Sequence, residues 1–143
     1  MRMKVRDLMT SHVVTCATNA TCEDAAKKMR TEKVGSIPVV EGSKLVGIIT
    51  DRDIVVECVA QGKSCSETQV ATIMTKNPVT CTPETDAHEA ARMMAREQIR
   101  RLPVIENGTL CGVCALGDLA VVDIHVNEAG EALSGISEQT QIH

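Results

Sequence analysis

The chain has 143 residues, 24% of them charged and 43% hydrophobic, an ordinary globular composition that fits one domain or two very small ones. This excludes a disordered tail protein and a collagen-like chain. Its 15 Lys and Arg against 19 Asp and Glu give a net charge of −4, the wrong sign for a protein that grips nucleic-acid backbone.

No apolar run approaches the ~20 residues of a membrane span. The opening Met1-Arg2-Met3-Lys4-Val5-Arg6-Asp7 lacks the apolar segment of a secretory leader, so the expected setting is cytoplasmic, with no membrane partner. Phe, Tyr and Trp are absent. Recognition of bases by ring stacking is therefore closed to this chain, and its core must be aliphatic residues, Met and Cys. Seven cysteines (16, 22, 58, 65, 81, 111 and 114) form an odd set. Without a leader, they read as small buried hydrophobes in a reducing compartment rather than as a disulfide framework.

In chain order, a helical turn at 5–9 leads to a short strand at 13–16. An amphipathic helix at Cys22–Glu32 follows, with Ala25, Ala26 and Met29 at helical spacing and Thr21 and Asp24 placed as a capping box. Two β-rich runs, 37–40 and 45–49, flank the turn Glu41-Gly42-Ser43-Lys44 and predict a hairpin. A second helix spans 51–61, and 61–69 is a polar linker containing Gly62. The same plan then recurs. A helical turn at 70–74 precedes a strand at 79–81 and a helix at 86–98. The strands 102–105 and 110–115 surround Glu106-Asn107-Gly108-Thr109, and a helix covers 117–125. The tail from 127 holds at most a weak short helix.

The recurrence is a duplication at a constant offset of 65 residues. Met9/Met74, Thr15/Thr80, Cys16/Cys81, Ala25/Ala90, Met29/Met94, Pro38/Pro103, Gly47/Gly112 and Asp53/Asp118 all match without a gap. Such a period is longer than common solenoid repeats, and two copies suggest a pseudo-twofold pair in which each covers the other's apolar face. The expected fold is α/β (α+β): two βαββα repeats related by a pseudo-twofold axis, with small sheets flanked by helices. The expected divisions are 1–64, 65–126 and a tail at 127–143.

The order strand, helix, Gly-Ser-Ile-Pro-Val-Val, turn, Leu-Val-Gly-Ile-Ile-Thr-Asp-Arg-Asp-Ile resembles a cystathionine-β-synthase (CBS) domain, and the tandem arrangement resembles a CBS pair, or Bateman module. The resemblance covers about residues 5–125. It is similar to the stand-alone bacterial and archaeal pairs, and implies a disc-shaped homodimer with adenine nucleotides held in clefts between repeats.

Within the segment Gly47-Ile48-Ile49-Thr50-Asp51-Arg52-Asp53, a strand passes into a helix. Helix N-termini favour anions, and a carboxylate at Asp53 can accept both hydroxyls of a ribose while Thr50 adds a third polar contact. Thr50 and Asp53 also have the spacing of a capping box, so a purely structural role is open on spacing alone. The family's Gly-x-x-Thr-x-x-Asp pattern assigns the pair to ribose. Arg100 and Arg101 precede a buried strand and offer planar forks matched to phosphate. The resemblance places them at the phosphates of the nucleotide whose ribose the other repeat holds, while the plainer alternative is two solvated cations balancing Glu97 and Glu106. By the same cross-repeat logic, the base is expected against Ile48, Asn77, Pro78 and Val79.

The second copy keeps Asp118 but has Ala115 where Thr50 stands, and the first copy has Gly35 and Ser36 where Arg100 and Arg101 stand. The expectation is one competent site and one degenerate site, the latter combining Asp118 with Gly35 and Ser36. No P-loop, dinucleotide-binding glycine motif or nucleophile–base set is present. The chain therefore reads as non-enzymatic and free of cofactor or metal, a regulatory module for AMP, ADP or ATP acting on an unknown downstream protein. Homodimerisation is expected through the helices near 51–61 and 117–125, where Ile54, Val55, Cys58, Val59, Leu119, Val121 and Val122 supply apolar surface, some of it belonging to the core. The alternatives are a ligand-free dimeric scaffold, or another adenosyl ligand such as S-adenosylmethionine or NAD(H). Cys111 and Cys114 form a CxxC on a predicted strand, where residues three apart face opposite sides, so zinc or redox use is disfavoured there.

Overall fold

The computed structural model describes residues 3–120. The elements are α1 (Val5–Leu8), β1 (Cys16–Ala17), α2 (Cys22–Glu32), β2 (Ser36–Glu41), β3 (Lys44–Thr50), α3 (Asp51–Ile54), β4 (Thr75–Lys76), α4 (Ala87–Glu97), β5 (Arg101–Glu106), β6 (Thr109–Ala115) and α5 (Leu116–Ala120). The mixed α/β character expected from the periodicities is what forms. Each boundary has a local cause. Thr21 Oγ1 accepts the Asp24 N–H and Asp24 Oδ2 accepts the Thr21 N–H, both at 3.1 Å, which starts α2. Lys33 at φ 57° ends it, and Gln98 at φ 55° ends α4 in the same left-handed way. In the second hairpin Asn107 and Gly108 both take positive φ (54° and 81°), the requirement of a type I′ turn.

Among the described residues the chain divides into two compact units, one formed by residues 14–78 with 108–110 and the other by 3–13, 79–107 and 111–120. These units differ from the divisions 1–64 and 65–126 expected from the repeat. The short helical segment that leads each repeat in sequence packs with the other repeat's residues. Val5 N–H donates to the Thr85 carbonyl at 2.8 Å, Arg6 N–H to Pro83 at 3.0 Å, and Ala87 N–H to Met3 at 3.0 Å. Reciprocally, Val70 N–H donates to Ala20 at 2.8 Å, and Thr21 bridges Gln69. The physical reason is backbone satisfaction: each leading segment supplies acceptors and donors to the start of a helix whose own end groups need partners.

In the first of these units, β1 pairs parallel to β2 through Cys16↔Val39, and β2 pairs antiparallel to β3. Strand β4 pairs antiparallel to β3 through Gly47↔Lys76 and Ile48↔Thr75. The second unit repeats the scheme at the 65-residue offset, with Cys81 bridging parallel to Val104 and Thr10 bridging antiparallel to Val113. The strand expected at 13–16 is shorter and shifted, Cys16–Ala17, and that expected at 79–81 is reduced to the Cys81 bridge. A two-residue strand is all the parallel pairing requires before the chain turns into its helix.

Glycine is required where β3 and β6 are crossed. A Cβ on Gly47 would lie 2.6 Å from Met74 Sδ and 2.9 Å from the Thr75 carbonyl oxygen, and on Gly112 it would lie 2.8 Å from Met9 Sδ and 2.9 Å from the Thr10 oxygen. The recurring methionines 9 and 74 thus cover these two glycines, while Met29 and Met94 are buried in the cores.

Each unit has its own apolar core. One gathers Cys16, Cys22, Ala25, Met29, Ile37, Val39, Ile49, Ile54, Cys58 and Val70. The other gathers Val5, Cys81, Ala87, Ala90, Ala91, Met94, Leu102, Val104, Cys114, Leu116 and Leu119. The helix expected at 51–61 is regular only through Ile54, beyond which Val55–Val59 widens into wider turns, with Ala60 N–H donating to the Val55 carbonyl at 2.8 Å. The helix expected at 117–125 starts at Leu116; its part beyond 120, including Val121 and Val122, and the tail at 127–143 lie outside the described residues.

Candidate functional site

Thr50 closes β3 and opens α3. Its Oγ1 accepts the Asp53 N–H at 3.0 Å, and Asp53 Oδ2 accepts the Thr50 N–H at 3.0 Å. The capping box is therefore real, and it leaves chemistry unspent. Asp53 Oδ1 takes part in no hydrogen bond among the described residues, and the Thr50 hydroxyl, having accepted, still has its proton to give. Both side chains are half-buried. The cap fixes their rotamers, so a fixed acceptor and a fixed donor stand side by side where the first-turn N–H groups of α3 add partial positive charge. Gly35 closes the rear of this corner. Its carbonyl accepts the Asp51 N–H at 2.9 Å, and Ser36 pairs with Thr50 across β2 and β3.

The second copy builds the same corner with one arm missing. Leu116 N–H donates to the Arg100 carbonyl at 2.8 Å, and Asp118 Oδ2 accepts the Ala115 N–H at 3.2 Å. Ala115 has no hydroxyl to return. Arg101 is half-buried in this unit; burial pulls its guanidinium below the ordinary value, and the Asp118 carboxylate opposes that shift. Arg100 is exposed. Within one unit, then, the structure brings Thr50 and Asp53 together with Gly35 and Ser36. Within the other it brings Asp118 and Ala115 together with Arg100 and Arg101.

Of the expected base contacts, Ile48 pairs with Thr75, so Asn77 and Pro78 follow directly from the strand that lies against it. Asn77 sits at φ 51° and is exposed, while Ile48, Pro78 and Val79 are half-buried. Val79 belongs to the other unit.

The cysteines separate into two groups. Cys81 and Cys114 are buried in one core, where desolvation pushes each thiol up to about 12. Cys111 is half-buried, with Sγ donating to the Val104 carbonyl at 3.4 Å. In the other unit Cys58 Sγ lies 3.3 Å from Cys65 Sγ, and burial raises Cys22, beside them, to about 11. Nothing in the sequence signals this meeting, because positions 22, 58 and 65 carry no motif spacing. Among the described residues no cluster of three His, Cys, Asp or Glu has the geometry to hold a metal ion, and no helix is long and apolar enough to cross a membrane.

The CBS domain model matches residues 5–59 and again 70–125. The CBS domain-containing protein YhcV of Bacillus subtilis is 43% identical over 135 residues, which cover 94% of this chain and 96% of YhcV. Among solved structures, Hypoxic Response Protein I with two coordinated zinc ions superposes with a TM-score of 0.77 at 28% identity, covering 82% of this chain and 97% of that one. CBSX2, solved in complex with AMP, has the same fold at a TM-score of 0.73 and 24% identity, covering 87% of this chain and 98% of its own. With two matched copies that take in most of the sequence, and a relative alike over nearly its whole length, the chain belongs to the CBS domain family as a tandem pair.

Proposed function

We propose that this CBS pair is a regulatory sensor of an adenine nucleotide, AMP, ADP or ATP, and not an enzyme. The observation that carries the reading is the Thr50–Asp53 corner, whose cap leaves one carboxylate oxygen and one hydroxyl proton without a hydrogen-bond partner among the described residues, at a helix start. A ribose diol donates to the first and accepts from the second. Arg100 and Arg101 are the phosphate readers in this proposal, and Ile48, Asn77, Pro78 and Val79 supply the aliphatic and backbone surface for adenine. The arginines favour a phosphate-bearing ligand over S-adenosylmethionine. CBSX2, with the same fold, holds AMP, which supports the ligand class.

The corner at Asp118 lacks the hydroxyl, so one competent site per chain is expected. Titration calorimetry of AMP, ADP, ATP and S-adenosylmethionine tests this. Asp53→Asn keeps an oxygen for the Thr50 N–H but ends the charged acceptance of ribose. A hydrogen bond to a charged group contributes about 1.5–3 kcal/mol, so affinity should fall roughly 10- to 100-fold. Unchanged affinity in Asp53→Asn removes the ribose assignment, and two equal sites per chain remove the competent-and-degenerate scheme.

The proposed assembly is a homodimer through the helices near 51–61 and 117–125. Val55 and Val59 are each 58% exposed and Val56 38%, an apolar patch on the helical run that follows the Thr50 cap, whereas Ile54, Cys58 and Leu119 are buried in the cores and offer no surface to a partner. Light scattering of wild type and Val59→Glu across a dilution series should give dimer mass for the first and monomer mass for the second. Dimer mass with no nucleotide binding would support the scaffold reading instead.

A further inference from the structure

We propose that Cys58 and Cys65 form a reversible dithiol–disulfide site that ties the 61–69 linker to the end of the helical run carrying the Thr50–Asp53 corner. The two sulfurs are already 3.3 Å apart. A disulfide needs roughly 2.05 Å, so closing the bond takes a movement of roughly 1.2 Å. The linker is positioned for it. Lys63 N–H donates to the Cys58 carbonyl at 3.0 Å, and Cys58 Sγ also reaches the Lys63 carbonyl at 3.7 Å. Beyond the pair, Glu23 N–H donates to the Cys65 carbonyl at 3.0 Å and Cys22 N–H to Thr68 at 2.8 Å. The linker is thus bonded to its unit on both sides of Cys65, and all of these residues belong to the one compact unit.

Access and chemistry divide between the two thiols. Cys58 is fully buried, whereas Cys65 is half-buried and carried by an exposed stretch, so an oxidant meets Cys65 first; its hydrogen bond with Cys58 and its burial raise the Cys65 thiol, which makes it a slow rather than a hyper-reactive nucleophile. With hydrogen peroxide the Cys65 sulfur attacks one oxygen, the O–O bond breaks, and Cys65 sulfenic acid and water result. Cys58 sulfur then attacks Cys65 sulfur, the S–O bond breaks, and a second water leaves with the Cys58 proton. In sum, two thiols and one peroxide give one disulfide and two waters: the sulfurs lose two electrons and the peroxide gains them. A small dithiol reverses the step by two exchanges.

Peptide mapping of the full chain is decisive, because Arg52, Lys63 and Lys76 are tryptic sites. Peptide 53–63 contains Cys58 as its one cysteine, and peptide 64–76 contains Cys65 as its one. Folded protein is reduced, freed of reductant, treated with graded hydrogen peroxide, alkylated and digested. The expected product, from the band of single-chain mass, is the two peptides joined and two hydrogens lighter than their sum, separated again by dithiothreitol. Recovery of the peptides unlinked at every peroxide level, whether Cys65 is intact or further oxidised, overturns the proposal. So does preferential linkage of Cys65 to Cys22 or to a second chain.

Discussion

Replacing Gly47 by alanine tests the way the chain is threaded. The new Cβ would lie 2.6 Å from Met74 Sδ and 2.9 Å from the Thr75 carbonyl oxygen. The methionine can swing away, but the carbonyl belongs to β4, held to β3 through Gly47↔Lys76 and Ile48↔Thr75. The backbone must shift and the pairing weaken. Overpacking of this kind costs about 1–3 kcal/mol, and contact with a paired backbone places Gly47→Ala in the upper part of that range. The assay is urea denaturation followed by far-ultraviolet circular dichroism, since the chain has no Trp or Tyr for fluorescence. Gly117→Ala is the control: nothing lies within 4 Å of its Cβ, and in a helix the change is worth up to ~1 kcal/mol in favour of folding. Adding Met74→Ala to Gly47→Ala should not restore stability, because the carbonyl contact remains. Equal stability of Gly47→Ala and Gly117→Ala would mean that the Thr75 carbonyl does not press on position 47.

Ala115→Thr should complete the second corner by giving the Asp118 N–H an acceptor. A cap of this type contributes about 1 kcal/mol, measurable in the same denaturation, with no gain if Ala115 is not placed as a cap. Gly112→Ala should match Gly47→Ala in sign, since Met9 Sδ and the Thr10 oxygen stand at 2.8 and 2.9 Å. Alkaline pH should destabilise the fold. Burial raises Cys81 and Cys114 to about 12 and Cys22 to about 11 from the ordinary 9.0. The unfolded chain therefore releases these protons first, so their contribution is full below pH 9 and lost as pH rises towards 12. Melting temperatures measured across that window should fall, and fall less in Cys81→Ala relative to its own value at pH 8.

Much of the fold was legible because local chemistry agrees with tertiary structure. The Thr21–Asp24 pair marked the start of α2 and forms the expected bonds. Asn107-Gly108 marked the second hairpin, and the constant offset between halves reappears as matched bridges, Cys16↔Val39 with Cys81↔Val104. The Thr50–Asp53 corner was legible as a cap, and both of its bonds form; the ribose role proposed for it needs the same two side chains, so the local pattern could not separate the two. What the sequence hides is long-range. That Val5 donates to Thr85, and Val70 to Ala20, depends on which helix start lacks partners once folded, not on any local pattern. The wider turns at Val55–Val59 likewise follow from packing, and the closeness of Cys58 and Cys65 follows from the linker's path over that segment.

The central claim is that this CBS pair holds an adenine nucleotide, and the near-ultraviolet spectrum of the freshly purified, desalted protein tests it most directly. Without Phe, Tyr or Trp the chain is almost transparent there, so bound adenine would dominate the absorbance. A nucleotide-binding pair should show an adenine band that stays with the protein, is released by denaturation, and is carried by AMP, ADP or ATP on mass analysis, or that appears once these nucleotides are added and excess is removed. A spectrum that remains blank after such loading, together with a melting temperature that none of the three nucleotides shifts, would contradict it.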